Sequence, residues 1–128
     1  MLRILIVDDN KNKNRWIRDI LNKEKIQCIE DRDFMNAVSR IKYDSYLYDG
    51  IILDMKFLKR ITDSKAEGRM GEKFLEFLKE NNFDIPVLGN STVEFRNAAE
   101  YPFFKGNTYG FWNPKILNEF LESLKDGE

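Results

Sequence analysis

The chain has 128 residues, 42% of them hydrophobic and 34% charged, with 7 Gly and 3 Pro. That is the size and balance of one globular domain, neither disordered nor fibrous. The 21 basic and 22 acidic residues leave a net charge of −1, so no bulk field draws the protein to nucleic acid or an anionic membrane. With no His and one Cys, His-based acid–base catalysis, Ser-His-Asp triads, His-ligated zinc, an internal disulfide and a CxxC metal cluster are all excluded.

The first apolar run, residues 2–7 (LRILIV), stops at Asp8, Asp9 and Asn10. It is too short for a signal-peptide core, and no stretch approaches a membrane span, so a soluble cytoplasmic protein is the expectation. A continuous aliphatic run of this length suits a strand buried on both faces. Residues 12–23 then carry Trp16, Ile17, Ile20 and Leu21 at helical spacing. A short strand is predicted over 26–30, and Phe34, Ala37, Val38 and Ile41 mark a second helix. Residues 48–53 (YDGIIL) form a third strand ending at Asp54, and 72–80 a third helix with Phe74, Leu75 and Leu78. Further on, 85–90 (IPVLGN) reads as a fourth strand, 92–100 as a short helix, 109–112 as a fifth strand, and 115–125 as a final helix.

Strand and helix alternate five times, which argues an α/β fold with a parallel sheet and helices on both faces. In such sheets a site lies at the carboxyl ends of the strands. Here those ends carry Asp8 and Asp9, Asp54, and Asn90 with Ser91. Three carboxylates meeting in one crevice repel, and at least one must take up a proton unless a cation is present. Mg²⁺ suits the arrangement, since it prefers oxygen ligands and keeps waters that a phosphoryl oxygen can replace. The plainer reading of a single Asp after a strand is a helix N-cap.

Taken together, the acidic pair in IVDDN, the Asp closing GIILDM, the hydroxyl closing IPVLGNS and the Pro in FWNP resemble the receiver domain of bacterial two-component response regulators, of the chemotaxis-regulator type. The resemblance covers the whole length, residues 1–128, as a single domain. It implies a flavodoxin-like, doubly wound sheet of five parallel strands in the order 2-1-3-4-5. Asp54 would be the phosphoacceptor, and Asp8, Asp9, Asp54 and the backbone carbonyl of Lys56 would hold Mg²⁺. Ser91 would be the switch hydroxyl. The implied partners are a histidine kinase or phosphotransfer protein, and a downstream protein on the face of the fourth helix, fifth strand and fifth helix. Neither direct nucleic-acid nor membrane binding is implied; a homodimer is compatible.

Three departures accompany the resemblance. The family's Lys before the Pro after the fifth strand is Asn113 here, which offers an amide but no charge. The Lys56 side chain is the expected surrogate cation, with Lys115 as another nearby amine, and the bond before Pro114 is cis in the family. The family's switch aromatic falls on Gly110, between Tyr109 and Phe111. Finally, residues 55–70 form an unusually long, basic connection, with Leu58 near the place of a customary Pro. Either a partly disordered surface loop or a docking loop for an acidic partner fits it. The six aromatics of 101–112 suit either an interface or core filling, and Cys28 reads as an apolar filler.

The leading expectation is a stand-alone receiver that accepts a phosphoryl group on Asp54 and signals by protein–protein contact. It would be no enzyme beyond self-phosphorylation and self-dephosphorylation on Asp54. The alternative is a pseudo-receiver, an interaction module working independently of phosphorylation. A Mg²⁺ hydrolase on this topology would need a second acid where Lys56 stands, and no Gly-rich phosphate loop supports nucleotide or flavin binding.

Overall fold

The computed structural model describes residues 1–109 and 113–126. Five strands form one parallel sheet: β1 (Arg3–Val7), β2 (Gln27–Asp31), β3 (Gly50–Leu53), β4 (Val87–Gly89) and β5 (Phe104–Asn107). Their spatial order is β2-β1-β3-β4-β5, the doubly wound arrangement expected from the alternation of elements. The helices are α1 (Lys11–Lys23), α2 (Phe34–Asp44), α3 (Met70–Glu80) and α4 (Pro114–Lys125). Among the described residues none is long and apolar enough to cross a membrane.

The central strands are buried on both sides because, after Arg3 at the start of β1, they carry no polar side chain. Ile4, Ile6, Ile52 and Leu88 face α1 and α4 through Ile17, Leu21, Leu117 and Phe120, while Leu5, Val7, Ile51 and Leu53 face α2 and α3 through Ala37, Ile41, Phe74 and Leu78. Cys28 packs half-buried against the first of these clusters. Side-chain caps start α1, α2 and α4. The Asn10 side chain accepts from the Lys13 N–H, Asp33 accepts from the Asn36 N–H, and Asn113 accepts from the Lys115 and Ile116 N–H groups with Pro114 in the first turn.

Three expectations are corrected here. First, β5 lies at Phe104–Asn107, not at 109–112. Tyr109 sits in a left-handed turn at φ 57°, and Gly110, Phe111 and Trp112 lie outside the described residues. β5 is an edge strand with an exposed Lys105, so it lacks the apolar run that marks a central strand. Second, the helix expected over 92–100 is only a single 3₁₀ turn, Ala98–Glu100. Ser91 Oγ accepts from the Val93 N–H, a local turn that competes with helix initiation, and Asn97 adopts a left-handed φ of 57°. Third, the Asn113–Pro114 peptide bond is trans, since no cis bond occurs among the described residues.

The long connection between β3 and α3 is tied down rather than loose. Phe57 is fully buried, and its carbonyl accepts from the Glu67 N–H. The carbonyls of Leu58 and Lys59 accept from the Phe34 and Met35 N–H groups, so this loop satisfies donors at the start of α2 that the helix itself leaves open. Its basic side chains Lys56, Lys59, Arg60 and Lys65 stay exposed.

Where the missing helix would lie, aromatic side chains cover the sheet. Phe95 is buried, with its ring centroid 4.9 Å from that of Phe104. The ring sits in a slot between two glycines. A Cβ on Gly89 would stand 2.6 Å from the ring, and one on Gly71 3.0 Å from the ring and only 2.4 Å from the Asp54 carbonyl oxygen. Tyr101 and Phe103 complete this cover as core residues, while Tyr109 is exposed.

Candidate phosphoacceptor and metal site

The carboxyl ends of β1 and β3 lie side by side, with Val7 paired to Leu53. The residues that follow therefore meet. Asp8, Asp9 and Asp54 each offer a carboxylate oxygen, and the three atoms lie within 4.8 Å of one another. Asp8 is buried, Asp9 and Asp54 partly so. Asp8 Oδ1 accepts from the Asn10 N–H at 2.9 Å, and Asp54 Oδ1 accepts from the Met55 N–H at 2.8 Å. These bonds aim the second oxygen of each carboxylate into the crevice.

Crowding sets the protonation chemistry. Burial, with the Asp8 charge adding to it, pushes Asp54 up to about 6. Asp9 is raised for the same two reasons, with Lys13 and Lys56 pulling it back. A set of hard oxygens whose charges oppose one another fits a small divalent cation. Asp8, Asp9 and Asp54 would hold Mg²⁺.

A lysine that sequence reasoning did not single out enters this crevice. Lys13, one turn into α1, places Nζ 2.8 Å from Asp8 Oδ2, 2.8 Å from the Asn90 carbonyl oxygen and 3.5 Å from Asp54 Oδ2. The Asn10 cap fixes the start of α1 and so brings Lys13 over the strand ends. Lys56, the expected surrogate cation, is exposed and makes no ion pair among the described residues; its charge reaches Asp9. Asn113, six residues beyond β5, is engaged as the cap of α4, and Lys115 is exposed beside it.

Ser91 lies at the end of β4, buried. Its N–H donates to Asn107 Oδ1 at 3.0 Å and its Oγ accepts from Val93. Asn107 Oδ1 also accepts from the Tyr109 N–H, its amide donates to the Val93 carbonyl, and the Thr108 hydroxyl donates to Asn90 Oδ1. Sequence reasoning missed this pair, Asn107 and Thr108, because it placed β5 too late. A second clamp holds the segment after Ser91: the Glu72 carboxylate accepts from the Arg69 guanidinium and from the Arg96 N–H, and Arg69 also donates to the Glu94 carbonyl.

No protein-family model matches the sequence, and no curated protein matches it. Solved structures do match. The receiver domain of the Francisella response regulator 1452 aligns over 100% of both chains with a TM-score of 0.75 at 19% identity. The response regulator TrrA from Thermotoga maritima, solved in complex with Mg²⁺ and BeF, covers 97% of this chain and 99% of its own, with a TM-score of 0.73 and 20% identity. A CheY-like receiver domain protein from Methanospirillum hungatei covers 98% and 95%, with a TM-score of 0.75 and 16% identity. The chain therefore has the fold of response regulator receiver domains along its whole length, with its acidic cluster at the carboxyl ends of β1 and β3.

Proposed function

We propose that this domain is a response-regulator receiver that accepts a phosphoryl group on Asp54 from a histidine kinase or phosphotransfer protein. One observation carries the reading: Asp8, Asp9 and Asp54 converge within 4.8 Å at the strand ends of a receiver fold. The Asp54 oxygen–phosphorus bond forms as the bond from phosphorus to the donor breaks, leaving an acyl phosphate. At neutral pH a carboxyl group near 6 is mostly ionised and so competent as the nucleophile. Bound Mg²⁺ would supply charge neutralisation for the incoming phosphoryl oxygens. Ser91, following β4, would donate its hydroxyl to a phosphoryl oxygen; its Oγ accepts from the Val93 N–H, which leaves the O–H as a donor. Output is by protein contact, with turnover limited to self-phosphorylation and self-dephosphorylation at Asp54. The surface formed by the 3₁₀ turn, β5 and α4 takes the place of the usual helical signalling face, and the protein works in the cytoplasm.

A second reading, a pseudo-receiver acting without phosphate, is favoured by one specific observation, the Lys13 ammonium lying in the crevice. Intact-mass measurement after incubation with acetyl phosphate and Mg²⁺, beside Asp54→Asn, separates the two. A phosphate-sized gain that the variant loses supports the acceptor role. No gain at any time, in a folded protein that binds Mg²⁺, supports the second reading.

A further inference from the structure

Lys13 Nζ has three N–H donors, and the crevice offers three oxygens: Asp8 Oδ2, the Asn90 carbonyl and, at the longest distance, Asp54 Oδ2. The ammonium thus ties together the ends of β1, β3 and β4. The choice of oxygens matters more than their number. Asp8 Oδ1 and Asp54 Oδ1 are already held by the backbone N–H groups of Asn10 and Met55. Lys13 therefore stands on the oxygens of Asp8 and Asp54 that the backbone leaves open for a metal. Its side chain is 21% exposed and Asp8 only 2%, so the contact is shielded enough from water to be stronger than a surface pair. The helix holds the amine in place, because the Lys13 N–H is itself the one capped by Asn10.

We propose that Lys13 is a tethered competitor of the divalent cation: its ammonium and Mg²⁺ are alternative occupants of Asp8 Oδ2 and Asp54 Oδ2, and cation binding must displace it. This rests on the Mg²⁺ reading above. The lysine neutralises the carboxylates when metal is scarce and sets a threshold in Mg²⁺ concentration for assembling the phosphoacceptor site. Because the same amine bonds the Asn90 carbonyl next to Ser91, its displacement also frees the end of β4.

The test is a calorimetric Mg²⁺ titration of the wild type, Lys13→Met, Lys13→Arg and Asp9→Ala at one pH and ionic strength. Met keeps the stem and the helix propensity but removes the charge. Lys13→Met is expected to bind Mg²⁺ at least about tenfold more tightly than the wild type, the scale of one lost charge-assisted contact. Lys13→Arg, which keeps the charge, is expected to retain weak binding. Lys13→Met affinity equal to or weaker than the wild type overturns the proposal. If Asp9→Ala still abolishes binding in that case, the metal site stands and only the competition falls. If neither the wild type nor Lys13→Met binds Mg²⁺, both fall together.

Discussion

The two ends of the sheet are held by different means. On the β2–β1–β3 side, strands of four and five residues pair in unbroken register, and α1 and α2 begin at side-chain caps. On the β4–β5 side, β4 has three residues, the pairing with β5 slips between Val87 and Gly89, and a 3₁₀ turn stands where a helix was expected. There the Phe95 ring, the Asn107 amide and the Glu72 clamp replace regular backbone bonds. The half that carries the acidic site rests on unbroken strand pairing and capped helices. The other half depends on individual side chains.

The contrast breaks first at Phe95. Phe95→Ala empties the slot beside Gly71 and Gly89, and a loss of about 3–5 kcal/mol in urea denaturation is expected for a buried aromatic. A loss below about 1 kcal/mol would show that the ring is not what covers this end of the sheet.

At the regular end the expected change has the opposite sign. Burial and Asp8 hold Asp54 at about 6, above its ordinary value, so the folded protein binds that proton more tightly than the unfolded chain does. Metal-free protein therefore loses stability as pH rises from about 4 to about 6, by roughly 2–3 kcal/mol. Asp54→Asn removes the loss. In the presence of chelator the variant should match the wild type near pH 4 and exceed it increasingly up to about pH 6, with a level difference above. A pH-independent difference in denaturation midpoint would refute the crowding argument.

The smallest effect sharpens the comparison directly. Asn107→Ala leaves the Ser91 and Tyr109 N–H groups without their acceptor and should cost about 1–3 kcal/mol. Asn10→Ala, which removes the cap of α1, should cost about 1 kcal/mol. Amide exchange should quicken at Ser91 and Tyr109 in the first variant and at Lys13 in the second, each without affecting the other end.

Much of this molecule was legible from residue order. The aliphatic run over 2–7 and the Ile51–Leu53 stretch within 48–53 marked two central strands, because two-sided burial accommodates continuous apolar residues. Asp8, Asp9 and Asp54 followed at their ends, and parallel pairing brought them together without further information. Periodicity located α1, α2, α3 and α4 because each buries one apolar stripe.

The tertiary structure alone decided the rest. β5 is polar at its exposed positions and takes its strand geometry from pairing with β4, so its pattern could not announce it. The segment after Ser91 had helical spacing on paper. The Ser91 hydroxyl accepting from the Val93 N–H, the Asn107 amide donating to the Val93 carbonyl and the clamp at Glu72 outcompete the helix there. Nothing in the sequence sets Lys13 apart from the other lysines. Its role depends on where α1 lies over three strand ends, and a long flexible stem finds its partners only once those ends have been assembled.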